Sequence, residues 1–174
     1  MPKDRTDVSR LPDVLLWLFV INLGIALGAG LYESRIVVPD WIDAAAASPA
    51  WNAEVARDDN TGVRFWVAVT TVPLTLLTLA NLFAGWRAPI GLRRWWLATA
   101  TTAFIERGLT LGYFVPTMIG LMQVEHSPDA ASSAILWAQH NNVRHLLVLA
   151  AWLAALKTFS LLYAHRGRAA MVDD

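Results

Sequence analysis

The sequence predicts an all-α integral membrane protein, a four-helix bundle with both termini cytoplasmic. Three observations predict it. First, four apolar stretches, about 14–34, 65–85, 95–117 and 146–163, each approach the ~20 residues needed to cross a hydrocarbon core. They explain why a 174-residue chain is 56% hydrophobic and only 16% charged, less charge than a soluble domain carries. Second, Lys and Arg gather at one set of ends. Lys3, Arg5 and Arg10 precede the first stretch, Arg87, Arg93 and Arg94 join the second and third, and Lys157, Arg166 and Arg168 lie at the close of the fourth. The other two connections are acidic, with Asp40, Asp43, Glu54, Asp58 and Asp59 in one and Glu125 and Asp129 in the other. Positive ends stay inside, so the acidic segments, 39–64 and 122–143, face outward. Third, the stretch 95–117 carries a polar stripe, Thr99, Thr102, Glu106, Thr110, Tyr113 and Thr117, at helical spacing. In a membrane helix such a face looks into the bundle.

The first stretch is too long for a signal-peptide core and no small-x-small cleavage site follows it, so residues 1–174 read as one membrane domain. It holds Gly24 and Gly28 in a small-xxx-small arrangement that admits a close neighbour. Asn22, Ala26, Ala29 and Glu33 share one of its faces. Pro39 is expected to end it. Ser48-Pro49 reads as an N-cap and first-turn proline, predicting a short external helix from Pro49 toward Arg57. Trp41 and Trp51 suit the outer interface, and the run 58–62, Asp-Asp-Asn-Thr-Gly, reads as a turn.

The second stretch places Arg64, Ala68, Thr71, Thr75 and Thr78 on one face. Pro73 is expected to kink it, its freed carbonyl satisfied internally. The short turn 85–91 makes the second and third stretches antiparallel neighbours. Gly108, Gly112 and Pro116 loosen the outer half of the third. Ser127-Pro128-Asp129 is a further N-cap with a first-turn proline. The helix starting there is expected to run to Tyr163, longer than the bilayer is thick at ~1.5 Å per residue. Its first turns carry Trp137, His140, Asn141, Arg144 and His145.

Glu106 and Arg107 sit mid-span, where a charge costs at least ~2.5–3.5 kcal/mol. Neighbouring residues point about 100° apart on a helix. The sequence therefore assigns them separate partners: Arg64 or Arg144 for Glu106, and Glu33 or a carbonyl for Arg107. Helix directions gather Glu33, Arg64, Glu106, Arg107, Asn141 and Arg144 at the outer half, with His140 and His145 nearby. No metal site is expected, because the Glu-x-x-His pairs of a carboxylate-bridged centre are absent and His140 and His145, five apart, do not share a face. Cysteine is absent, which excludes disulfides and thiol relays. A near-zero net charge points away from nucleic acid. A base beside a cation in an apolar pocket can remove a proton from an acidic carbon and hold the enolate. Structural ion pairs that seal the bundle are an equal reading. A small proton-coupled carrier using Glu106 and a non-catalytic assembly partner are the alternatives from other classes.

Tyr32-Glu33, Pro39-x-Trp41, Phe65-Trp66, the run 113–117 (Tyr-Phe-Val-Pro-Thr), then Trp137, Asn141 and Arg144 before an Ala/Leu-rich helix, together resemble the anthrone-oxygenase-like family of small membrane proteins. The resemblance spans most of the chain. It implies a four-helix membrane protein, and, from its few fungal members with an assigned activity, oxidation of an aromatic polyketide anthrone by O₂ with no recognised cofactor. Arg144 and Asn141 match its Trp…Asn-x-x-Arg pattern, and Tyr32 and Glu33 its first-helix motif; Glu106 and Arg107 match no motif of it. On this reading Glu106 or His140 takes a proton, and Arg144 with Asn141 holds an enolate oxygen. Tyr32, Glu33, Arg64, Arg107, Tyr113 and Trp137 contact the substrate. No cofactor is implied. The expected partners are the membrane, here a bacterial inner membrane, a hydrophobic small molecule or lipid, and further copies of the chain in a homo-oligomer.

Overall fold

A computed structural model describes the backbone of residues 10–44 and 48–170 and the side chains of 11–44 and 48–164. Lys3, Arg5 and the side chains of Arg10, Arg166 and Arg168, part of the charge asymmetry, lie outside the described residues. The described chain is almost wholly helical. Helix α1 runs over 10–41, strand β1 is Ile42–Asp43, strand β2 is Ala50–Trp51, and helix α2 is Ala53–Asp59. Helix α3 is Gly62–Arg87, helix α4 runs over 90–121, and helix α5 is Pro128–Ala170.

Among the described residues, three helices are long and apolar enough to cross a membrane: Leu11–Trp41, Gly62–Arg87 and Pro128–Ala164. Their outward faces carry Leu18, Ile21, Leu76, Phe83, Leu146 and Leu153, all exposed. The sequence predicted a fourth span at 95–117, but α4 does not join this set. Arg93, Arg94, Glu106 and Arg107 dilute its apolar content. The polar stripe does face inward, since Thr99, Glu106 and Thr110 are buried and Thr102, Tyr113 and Thr117 partly so.

Pro39 was expected to end its helix, Pro73 to kink one and Pro116 to loosen one. Each is preceded by a widened stretch of π-helix: Glu33–Val37 ahead of Pro39, Gly62–Thr71 ahead of Pro73, and Thr110–Phe114 ahead of Pro116. Proline lacks an N–H and its ring crowds the carbonyl four residues back. Widening the preceding turns shifts the hydrogen-bond register and relieves that crowding. Helix α1 therefore continues through Pro39 to Trp41. For Pro73 the crowded carbonyl belongs to Val69, and Asn22 Nδ2 donates to it at 2.9 Å. A side chain of α1 thus ties into the widened turns before Pro73.

The inner half is a close-packed core. Phe19, Leu23, Ala26, Leu74, Ala100, Ala103, Val148, Ala151 and Ala155 bury together, alanines letting α4 and α5 approach. Gly24 lies under the Trp152 ring, with its missing Cβ position 3.2 Å from the indole Nε1, whereas Gly28 has open space beside it. Buried polar ties join the helices: Trp96 Nε1 donates to Asn81 Oδ1 at 3.0 Å, Asn81 Nδ2 to the Leu15 carbonyl at 3.2 Å, and Thr99 meets Thr158 at 3.4 Å. At the turn between α3 and α4, Arg87 lies over Phe83 and Arg93 over Trp86, cations resting on aromatic rings.

The outer end is capped. Ile42 pairs with Trp51 and Asp43 with Ala50 in an antiparallel hairpin. This corrects the predicted helix from Pro49. Residues 50–51 are drawn into the strand pair, Trp51 Nε1 donates to the Leu121 carbonyl at 3.0 Å, and α2 starts only at Ala53. Its cap is Asn52, whose Oδ1 accepts from Val55 N. Asn60, at φ 41°, closes α2 in the left-handed region that asparagine tolerates. Trp41 Nε1 donates to Asp59 Oδ2 at 2.7 Å, and Trp41, Trp51, Phe114, Leu121, Ala134 and Trp137 form the core of the cap. Ser127 caps α5, its Oγ accepting from Ala130 N at 3.1 Å.

Candidate functional site

Beneath the cap lies a cavity of about 420 Å³. Its ceiling is Trp41, Phe114, Met122 and Trp137, its floor Ala26 and Val148, and its sides come from α1, α3, α4 and α5. Most of the lining is apolar, and a few charged groups converge on it, the usual composition of a ligand site.

Glu33 lies at the start of the first π turn and is buried. Its Oε1 accepts from Thr61 Oγ1 at 2.6 Å and from Trp66 Nε1 at 2.7 Å. Two neutral donors thus hold one oxygen of this carboxylate. Arg144, half-buried, has its guanidinium 5.1 Å from the Phe114 ring centre and 5.5 Å from that of Trp66. Among the described residues no carboxylate forms a salt bridge with it.

Glu106 and Arg107 are both buried, and the expectation of separate partners is wrong. Arg107 Nε donates to Glu106 Oε2 and Arg107 Nη2 to Glu106 Oε1, each at 2.6 Å. Thr110 Oγ1 adds a bond to Glu106 Oε1 at 2.8 Å. The offset between adjacent Cβ atoms is real, but both side chains are long enough to fold across it. The planar guanidinium then meets the carboxylate with two parallel bonds. Neither Arg64 nor Arg144 pairs with Glu106. Arg64 is exposed and reaches the Asp59 carbonyl at 3.5 Å. Arg107 keeps one buried nitrogen, Nη1, without a hydrogen bond.

Of the residues assigned a catalytic or substrate role by sequence, Glu33, Glu106, Arg107, Trp137 and Arg144 line the cavity, and so does His145, expected only nearby. The others stand elsewhere. Asn141, expected beside Arg144 on a shared oxygen, lines a separate recess of about 230 Å³ with Ser34, Arg35, Val38, Ala138 and Asn142. Residues three apart stand about 60° apart around a helix axis, and here that offset divides the two between cavities. His140 is exposed, its Nδ1 3.0 Å from the Tyr113 hydroxyl. Tyr32 and Arg64 also face away, both exposed.

Sequence reasoning missed the part of Trp66, which is both a donor to Glu33 and a face for Arg144; only its place in the Phe65-Trp66 motif hinted at it. Thr61 was read simply as turn. His145 is buried and lines the cavity, with its Nε2 unpartnered. That nitrogen lies 2.7 Å from where a Cβ on Gly30 would be, so the ring edge rests on bare α1 backbone.

The fold and the site define a class: an all-α protein with helices of membrane-spanning length and a charged, largely apolar-walled cavity. Comparison with protein-family models, with curated proteins and with solved structures returns no match.

Proposed function

We propose that the chain is a four-span integral membrane protein of the bacterial inner membrane, with both termini cytoplasmic, and that its outer cavity is the substrate site of a cofactor-independent oxygenase. The substrate is a hydrophobic aromatic or polyketide compound. The observation that carries this reading is Arg144: a guanidinium facing a roomy apolar cavity, cushioned by two rings and, among the described residues, bonded to no carboxylate, with the buried carboxylate of Glu33 in the same lining. Ionisable groups at membrane depth most often mark function.

Both oxygens of Glu106 are engaged by Arg107 and Thr110, which favours a structural role for that carboxylate, and His140 stands outside the cavity. The proton acceptor is therefore Glu33, through the oxygen that Thr61 and Trp66 leave free. Glu33 takes a proton from the acidic carbon, and Arg144 holds the enolate oxygen. The enolate gives an electron to O₂, the two radicals join into a peroxide anion, and the proton held by Glu33 returns to it to give the hydroperoxide. Loss of water leaves a carbonyl, so a CH₂ and O₂ become C=O and H₂O. The protein supplies a slot, a base and a cation, and the resemblance to the anthrone-oxygenase-like family supports this chemistry.

Purified protein given an anthrone, followed by O₂ uptake and quinone absorbance, tests the reading. A rate no faster than that of Arg144→Ala, across several anthrones and related phenols, rejects it and leaves a carrier or an assembly partner.

A further inference from the structure

The cavity has a side opening. The inner halves of α3 and α4, Val72–Arg87 and Ile90–Leu109, pack along their length, but the outer segments 62–71 and 110–121 stand apart. The edges of this gap are apolar and face outward: Val63 and Val67 on α3, Leu111, Val115 and Ile119 on α4, with Val63 68% exposed. All five also line the cavity. A gap bounded by such residues, between two helices of a membrane bundle, opens toward acyl chains rather than water.

The head of the cavity has a definite charge balance. Glu33 and Glu106 oppose Arg107 and Arg144, so the lining carries no net charge. What it lacks is acceptors: Arg107 Nη1 is buried and unpartnered, and Arg144 has only aromatic faces. An acidic head would bring a further negative charge into a lining whose charges already balance, which is costly where the walls are apolar. A neutral carbonyl brings acceptor oxygen without charge.

We propose that the cavity binds a tailed lipid with a neutral, carbonyl-bearing ring head, a quinone or ring ketone, its oxygen held by Arg144 and Arg107 and its apolar tail leaving between α3 and α4 past Val67 and Leu111. This inference rests on the cavity being the substrate site and adds the substrate's shape, charge and route of entry.

Protein in lipid nanodiscs is titrated with a benzoquinone carrying a long alkyl tail. The readout is quenching of Trp66, taken as the difference from Trp66→Phe protein. Saturable quenching is expected, and the carboxylic acid with the same tail should compete at least ~10-fold more weakly, since it must bury its charge. An acid that competes equally well, or an absence of saturable quenching, overturns the neutral head. In Val67→Phe/Leu111→Phe protein the half-saturation point for the tailed quinone should rise by ~10-fold, the equivalent of one blocked favourable contact region. No change in protein of unaltered thermal stability overturns the side entry. Should that variant not fold, a tailless benzoquinone on wild-type protein decides: if the tailed form gives no additional protection of a Val67→Cys thiol against a membrane-soluble maleimide, the tail does not lie in the gap and the proposal falls. Binding needs no turnover. Quenching without O₂ uptake defeats the oxygenase reading alone, and turnover of small anthrones without quenching defeats this inference alone.

Discussion

Glu106 and Arg107 show how much side-chain reach matters at the scale of a residue. Backbone geometry pointed them to different neighbours, and two rotatable side chains found each other. A buried pair of this kind is sensitive to the loss of one member, because the other is left charged and unsolvated. Glu106→Gln should lower stability in detergent by ~3–5 kcal/mol. Replacing both residues by Gln and Met should cost less than the two single changes together. Thermal unfolding of the three variants checks this, and strict additivity would show that the two residues do not act as a unit. A second residue-scale test lies at Gly30. Alanine there must displace the His145 ring, with an overpacking cost of ~1–3 kcal/mol, and the cost should largely disappear when His145 is also alanine.

The helices were legible at the level of elements because hydropathy and helical spacing survive in any context. Their continuity was not. Pro39, Pro73 and Pro116 were visible, but the sequence does not announce that the preceding turns widen instead of breaking. The hairpin of Ile42–Asp43 and Ala50–Trp51 was hidden for a related reason: its register is set by the distant Leu121 carbonyl that anchors Trp51, a contact with no local signature. The link between Asn22 and the Val69 carbonyl makes the proline argument testable. Asn22→Ala should cost ~1–3 kcal/mol by leaving a buried acceptor unmet. In a Pro73→Ala background the restored backbone N–H competes for the carbonyls of that turn, and the penalty of Asn22→Ala should shrink. Equal penalties in the two backgrounds would separate Asn22 from Pro73.

For the whole molecule, the candidate site was half legible. The charges Glu33, Glu106, Arg107 and Arg144 announced themselves by type and position, and they do meet at one cavity. His140 and Asn141 were grouped with them, and the phase of α5 sends both elsewhere, His140 to the Tyr113 hydroxyl of α4 and Asn141 to the separate recess. The orientation of the bundle rests on the Lys and Arg asymmetry. The chain lacks cysteine, so single cysteines report topology cleanly. Ones at Ser48 and Ser133 should label from the periplasm, and one at Gly91 should not. The reverse pattern would invert the bundle and place the cavity on the cytoplasmic side.

The central claim is that catalysis belongs to the cavity pair, Glu33 and Arg144, rather than to the exposed groups of the same helices. The most direct measurement compares O₂ uptake with an anthrone for wild type, Glu33→Gln, Arg144→Ala and His140→Ala. The account predicts that Glu33→Gln and Arg144→Ala each lose ~10²–10³ in rate, as removal of one electrostatic contact to a developing charge commonly does, while His140→Ala keeps the wild-type rate. A His140→Ala protein that loses turnover, beside Glu33→Gln and Arg144→Ala proteins that keep it, would contradict the account.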